Sequence, residues 1–216
     1  MAEAGLWLRD MICDKTTENG EDEVVCLVAG VLPDGSQYKE RFPKNKDHWD
    51  MNDGKEPRKI TDQPVQLWRG EIPDGGTAEF VVTFPEIDGG NGAGFGQALD
   101  ALGSALVQKG GAAAVAGAVV ELAGYIVQGI DDSDDYLGSV RISLKNEGGT
   151  IRADFATHER STYAGHSDNR TTQMFRLNGD KSNYITYFRA GTPTILQVPG
   201  IGDDPDRYDY QPTLSN

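Results

Sequence analysis

The chain has 216 residues and a formal net charge of −14, and it contains no run rich in Lys or Arg. Nucleic-acid binding is excluded on that ground, because neutralising a phosphate backbone requires clustered cations. Its apolar share of 38% and charged share of 25% are those of a soluble globular chain, long enough for one sizeable domain or one domain with an extension. The 27 glycines favour a turn-rich, all-β chain, and the carboxylate excess is compatible with Ca²⁺ binding, with solubility or with a saline habitat.

The opening "MAEAGLWLRD" has neither a basic n-region nor a long apolar h-region. It does not read as a secretory signal, which leaves the localisation open between cytoplasmic, exported without a cleaved leader, and a sequence given without its leader. Residues 5–12 alternate loosely and predict a strand, followed by the polar loop "CDKTTENGED". "EVVCLVAGVL" (23–32) predicts a buried strand that ends at the "PDG" turn. Cys13 and Cys26 flank the first loop. Two buried thiols are the default, with one bridge between neighbouring strands as the alternative.

Residues 36–63 are polar, with a turn at 52–54. Strands are predicted over 64–72, over 77–87 and within "LGSVRISL" and "GTIRADFA". Short strands punctuated in this way predict an all-β, eight-stranded antiparallel sandwich. A helical hairpin is expected as an insert at 92–130. In its first arm Phe95, Leu99, Leu102 and Leu106 recur at helical spacing, opposite Gln97, Asp100 and Gln108. In its second arm Val115, Val119, Leu122 and Ile126 form one stripe. The expected sandwich thus spans 1–157, interrupted by 92–130. Residues 158–216 are expected as a β-rich extension with a hairpin at Asn178-Gly179 and an acidic tail.

No catalytic motif stands out. The glycines at 90, 92, 94 and 96 do not satisfy G-x-G-x-x-G in any register, and neither a Walker A sequence nor G-x-S-x-G occurs. His158, His166 and Asp168 sit in "THERSTYAGHSD", which reads as an exposed loop. "NRT" at 169–171 is a glycosylation acceptor only in a eukaryotic secretory pathway. The expectation is a protein without enzyme activity.

Two acidic clusters lie at strand junctions. One runs from Asp14 to Asp22, and the other begins at Glu86-Ile-Asp88 and resumes at Asp131–Asp135 beyond the insert. Hard cations take six to eight oxygens, commonly from carboxylates on separate loops, and loops at one end of a sandwich converge. Asp is also common in turns because it bonds its own backbone, so solvated acidic turns remain the bland alternative.

The arrangement "EDEVVCLV", "PEID" and "DDYLG" resembles the C2 domain over roughly residues 5–157. The resemblance implies a Ca²⁺-binding sandwich whose tip loops hold the ion. Asp22 would open a strand, with Asp14 upstream, and Glu86, Asp88, Asp134 and Asp135 would come from the third loop. Glu86 departs from the usual Asp, and residues 92–130 interrupt that loop. The same scaffold without its metal is a further possibility.

In C2 domains the third loop meets the membrane, which makes the striped residues Phe95, Leu99, Leu102, Leu106, Val115, Val119, Leu122 and Ile126 candidate membrane or partner contacts. Glu121 is the single formal charge in 110–130, and the small residues Gly110, Ala114 and Ala118 permit close helix packing. The leading expectation is a Ca²⁺-dependent module that meets an anionic membrane or a protein partner. The alternatives are a membrane-inserting toxin or effector that uses the hairpin, and a structural subunit that forms a homo-oligomer. For the hairpin itself, packing on its own sandwich is the expectation.

Overall fold

The computed structural model describes residues 1–16, 21–44, 46–51, 64–87, 136–166, 172–179 and 181–193. Among them the chain is all-β. Twelve strands occur: β1 (Ala2–Lys15), β2 (Asp22–Val24), β3 (Cys26–Val31), β4 (Gln37–Phe42), β5 (Trp49–Met51), β6 (Val65–Ile72), β7 (Thr77–Pro85), β8 (Tyr136–Glu147), β9 (Thr150–Thr157), β10 (Ser161–His166), β11 (Thr172–Asn178) and β12 (Asn183–Gly191). They form one sheet in the order β10-β11-β12-β1-β6, a second in the order β4-β3-β7-β8-β9, and a two-stranded ribbon β2-β5. All the pairings are antiparallel.

The eight-strand expectation is therefore corrected to twelve strands among the described residues. Two of the additions lie in the polar stretch after the first turn. Strand β4 is half-buried along most of its length, as an edge strand is, so it lacks the apolar run that marks an interior strand. Another is β10, in the segment read as an exposed loop, where Tyr163 is exposed and Ser161 is buried. The expected hairpin at 92–130 lies outside the described residues, and no helix occurs among the described ones.

Strand β12 runs alongside β1 from Gly5↔Gly191 to Lys15↔Asn183. The chain after Thr157 thus supplies three of the five strands of the first sheet. Alternation decides what enters the core. Leu6, Leu8, Met11 and Cys13 of β1 share one buried cluster with Phe80, Val82 and Phe84 of β7, Val140 and Ile142 of β8, and Phe175, Tyr184 and Phe188 of β11 and β12. Ring contacts cross between the sheets: Phe84 lies 6.1 Å from Phe188, and Trp68 lies 5.0 Å from Phe80. Burying a Phe or Leu side chain stabilises by about 1.5–3 kcal/mol, so these rows hold the two sheets together. Gly30 is required for close approach, since a Cβ there would meet the Phe80 ring and the Glu79 carbonyl at 2.5 Å. Cys13 and Cys26 are both buried and are not joined in a disulfide.

Candidate metal centre

Three backbone links tie β2 and Val25 to the end of β7 and the two residues after it. Val24 bridges Glu86, the Val25 amide donates to the Pro85 carbonyl at 3.1 Å, and the Ile87 amide donates to the Glu23 carbonyl at 2.8 Å. Asp22 and Val24 share one face of β2, and Val24 belongs to the core cluster. Asp22 and Glu86 are thereby diagonal neighbours on the inner face. Diagonal neighbours on a sheet sit roughly 7–8 Å apart. Both carboxyl groups are buried. Buried carboxylates in a low-dielectric interior need opposing charge or hydrogen bonds.

The described residues on either side of 88–135 lie together. The described chain leaves at Ile87 and re-enters at Tyr136, and Tyr136 is the register partner of Pro85. Both ends of the segment 88–135 therefore attach beside Glu86. Asp88, Asp134 and Asp135 lie outside the described residues, as do Phe95, Leu99, Leu102, Leu106, Val115, Val119, Leu122 and Ile126.

Asp22 accepts a hydrogen bond from the Tyr184 hydroxyl. The Tyr184 phenol is held far above its ordinary pKa, first by burial, then by the hydrogen bond and charge of Asp22, with a smaller contribution from Cys13. It therefore remains a neutral donor throughout the physiological range. Cys13 lies directly opposite Tyr184 in the β1–β12 register, which assembles a thiol, a phenol and a carboxylate at one point. Sequence inspection missed Tyr184 altogether. Its only mark in the sequence is an inward position in a predicted hairpin, and nothing in the chain distinguishes that phenol from the other tyrosines.

Asp14 is placed elsewhere. It is exposed on the face opposite Cys13, and its carboxylate takes the Arg176 Nη1 at 2.7 Å. The structure brings Asp22 and Glu86 together and sets Asp14 apart. On the other face of the ribbon, Glu23 and Asp50 face each other across β2 and β5, with His48 Nε2 at 3.0 Å from Asp50 and 3.9 Å from Glu23. Among the described residues, no group of three or more His, Cys, Asp or Glu is arranged to hold a metal ion.

The re-entry point is clamped by a second network. The Tyr136 hydroxyl donates to Ser139 Oγ at 2.9 Å, and Ser139 Oγ lies 2.7 Å from His158 Nδ1. Arg160 donates to the Tyr136 carbonyl at 2.9 Å, with its guanidinium 5.6 Å from the Tyr136 ring centre. Burial pushes the Tyr136 phenol up to about 12. Burial also holds the His158 imidazole below its ordinary value; Glu159 opposes that shift, and Arg141 adds to it.

No protein-family profile matches the chain, and comparison with curated proteins and with solved structures yields no match.

Proposed function

We propose that this protein is a non-enzymatic, C2-like module that binds Ca²⁺ at one end of its sandwich and uses the bound ion to approach an anionic membrane surface or protein partner. The observation that carries this reading is the convergence at the base of the third loop. Buried Asp22 and Glu86 share a face there, and the chain departs at Ile87 and returns at Tyr136, next to Asp88, Asp134 and Asp135 in sequence. Asp22 and Glu86 would supply inner ligands, and the three aspartates the outer ones. Asp14, paired with Arg176, is left out of this proposed set. Neutralising this acidic tip lowers its repulsion from an anionic surface.

One observation favours a second reading, a sandwich of the same kind with no metal. The Tyr184–Asp22 bond is itself a way to accommodate a buried carboxylate. Calorimetric titration of Ca²⁺ into chelator-treated protein separates the two. Saturable binding of one or two ions per chain supports the Ca²⁺ module. The absence of any heat up to millimolar Ca²⁺ leaves the metal-free scaffold.

A further inference from the structure

The two five-stranded sheets end at β10 and β6, and at β4 and β9. An edge strand presents unpaired N–H and C=O groups, and proteins ordinarily blunt it with bulges, runs of charge or proline. Strand β6 shifts register between Gln66 and Trp68, and β10 between Tyr163 and Gly165. Strand β4 carries Lys39, Glu40 and Arg41 in succession and runs into Pro43. Strand β9 has no proline and no bulge, and it pairs with β8 without interruption from Val140↔Thr157 to Glu147↔Thr150. Its turn, Gly148-Gly149, has φ of 63° and 89°, as a two-residue hairpin turn requires. Glu147 and Thr150 are then the hydrogen-bonded pair that closes the turn, and bonded and non-bonded pairs alternate along the ladder. Arg152 and Asp154 therefore turn their backbone groups to β8, and Ile151, Ala153 and Phe155 turn theirs to the open side. Among the described residues no strand pairs there.

The side chains of β9 are ordered about Ala153. On the outer face Arg152 precedes it and Asp154 follows it, both exposed; on the inner face Ile151 and Phe155 stand half-buried on either side. The neighbouring rows extend this polarity. Lys145 is the register partner of Arg152, and Glu147 takes the two cations at 2.9 and 2.6 Å, which leaves an excess cation at this end. Ser143 is the register partner of Asp154, and Glu79 stands beyond it, 3.7 Å from Arg141, which leaves an excess carboxylate at the other end. Burial holds the Glu79 carboxyl above its ordinary value, and Asp154 adds to that shift.

A two-fold axis at Ala153 matches this order with its own reversal. Arg152 of each copy then faces Asp154 of the other, Ile151 faces Phe155, and Ala153 faces itself. Opposite charges and an aromatic–β-branched pair are favourable cross-strand neighbours. The same register joins the outward backbone groups of Ile151, Ala153 and Phe155 in hydrogen-bonded pairs. In a chain of net charge −14, the hairpin 136–157 carries Arg141, Lys145 and Arg152 against Glu147 and Asp154, so two copies meet here without the repulsion of their acidic loops. Tyr163, 53% exposed, flanks the same side, with its ring 5.8 Å from Phe175, which lies 6.3 Å from Phe155.

We infer that β9 is a self-association edge, through which two copies pair antiparallel about Ala153 and join their second sheets into one continuous sheet. The occupant is a second copy, because both the charge order and the apolar pair are complementary to themselves. This inference does not depend on the metal.

The test uses the full-length chain in chelator. Sedimentation velocity from low to high micromolar protein should show a concentration-dependent dimer. A monomer throughout would overturn the inference and leave the edge to a strand of another protein. Arg152→Asp sets carboxylate against carboxylate at the seam, and Asp154→Arg sets guanidinium against guanidinium. Each variant alone should dimerise at least about tenfold more weakly than the parent. Both positions are exposed, so each variant should melt close to the parent. An equimolar mixture of the two should recover the parent's dimer, because every facing pair is then of opposite sign. Single variants that dimerise like the parent, or a mixture that fails to recover, would overturn the inference. The register is read separately by disulfide formation, with Cys13 and Cys26 buried and out of reach. Arg152→Cys chains mixed with Asp154→Cys chains should cross-link under mild oxidation, since directly opposed residues lie about 4.5–5.5 Å apart. Either variant alone should cross-link at least about tenfold more slowly, because diagonal neighbours lie about 7–8 Å apart, beyond the reach of a disulfide. Equal rates would also overturn the inference.

Discussion

Tyr184 donates its phenolic hydrogen to the carboxylate of Asp22 across 162 residues of sequence, tying the last strand to the first acidic loop. This bond joins β12 of the first sheet to the β2–β5 ribbon, and it sets the orientation of the carboxylate proposed as the innermost Ca²⁺ ligand. Tyr184→Phe removes the donor while keeping the ring. Loss of a hydrogen bond to a buried group costs about 1–3 kcal/mol. Urea unfolding of the chelator-treated variant should show a loss of that size, with an unchanged slope.

The placement of Asp14 sharpens the ligand assignment. Asp22→Asn and Asp135→Asn should each weaken Ca²⁺ binding at least tenfold, about 1.4 kcal/mol. Asp14→Asn should leave affinity within twofold, because Arg176 holds that carboxylate on the opposite face. Asp206→Asn, in the acidic tail, should behave like Asp14→Asn. Calorimetry on the four variants reads this directly; equal small effects would point to ordinary acidic turns.

Ca²⁺ should raise the melting temperature. A ligand that binds only the folded state stabilises it by about 2.7 kcal/mol at a hundredfold excess over Kd. Melting in chelator and in millimolar Ca²⁺ should therefore differ by several degrees, and the difference should vanish in Asp22→Asn.

The chain after Thr157 should be indispensable to the sandwich. Truncation there removes β10, β11 and β12 and uncovers Leu6, Leu8 and Met11 of β1. Circular dichroism and calorimetry of 1–157 should show no cooperative transition. In the full chain, Phe188→Ala should cost about 3–5 kcal/mol, the usual range for deleting a buried ring.

The imidazole of His158 should give stability a dependence on pH. Its folded pKa lies below 6.5, the ordinary value, because it is held partly buried. The unfolded chain therefore takes up a proton first as pH falls. The neutral imidazole contributes stability fully above pH 6.5, and that stability is lost progressively as pH drops from there toward the folded pKa. His158→Gln should flatten the decline between pH 7.5 and 5.5 relative to the parent. Parallel melting curves for the two proteins would remove His158 as the source.

The sequence alone determined the all-β class, because period-two alternation and Gly, Pro and Asn turns are local signals read within a few residues. The strong strands within 23–32, 64–72 and 77–87 were legible in this way, as was a hairpin near Asn178-Gly179. The edge strands β4 and β10 were not, since an edge strand needs no apolar run and its pairing partner lies elsewhere in the chain. Of the candidate site, acidic loops at strand junctions were legible as composition, but their geometry was not. Only the tertiary structure decided that β12 lies beside β1, that Asp22 faces Tyr184 while Asp14 faces Arg176, and that Ile87 and Tyr136 sit together at the base of one loop. These are contacts between distant residues, set by sheet register. A register shift of one residue would turn Asp22 and Glu86 from the inner face to the outer without changing a letter of the sequence.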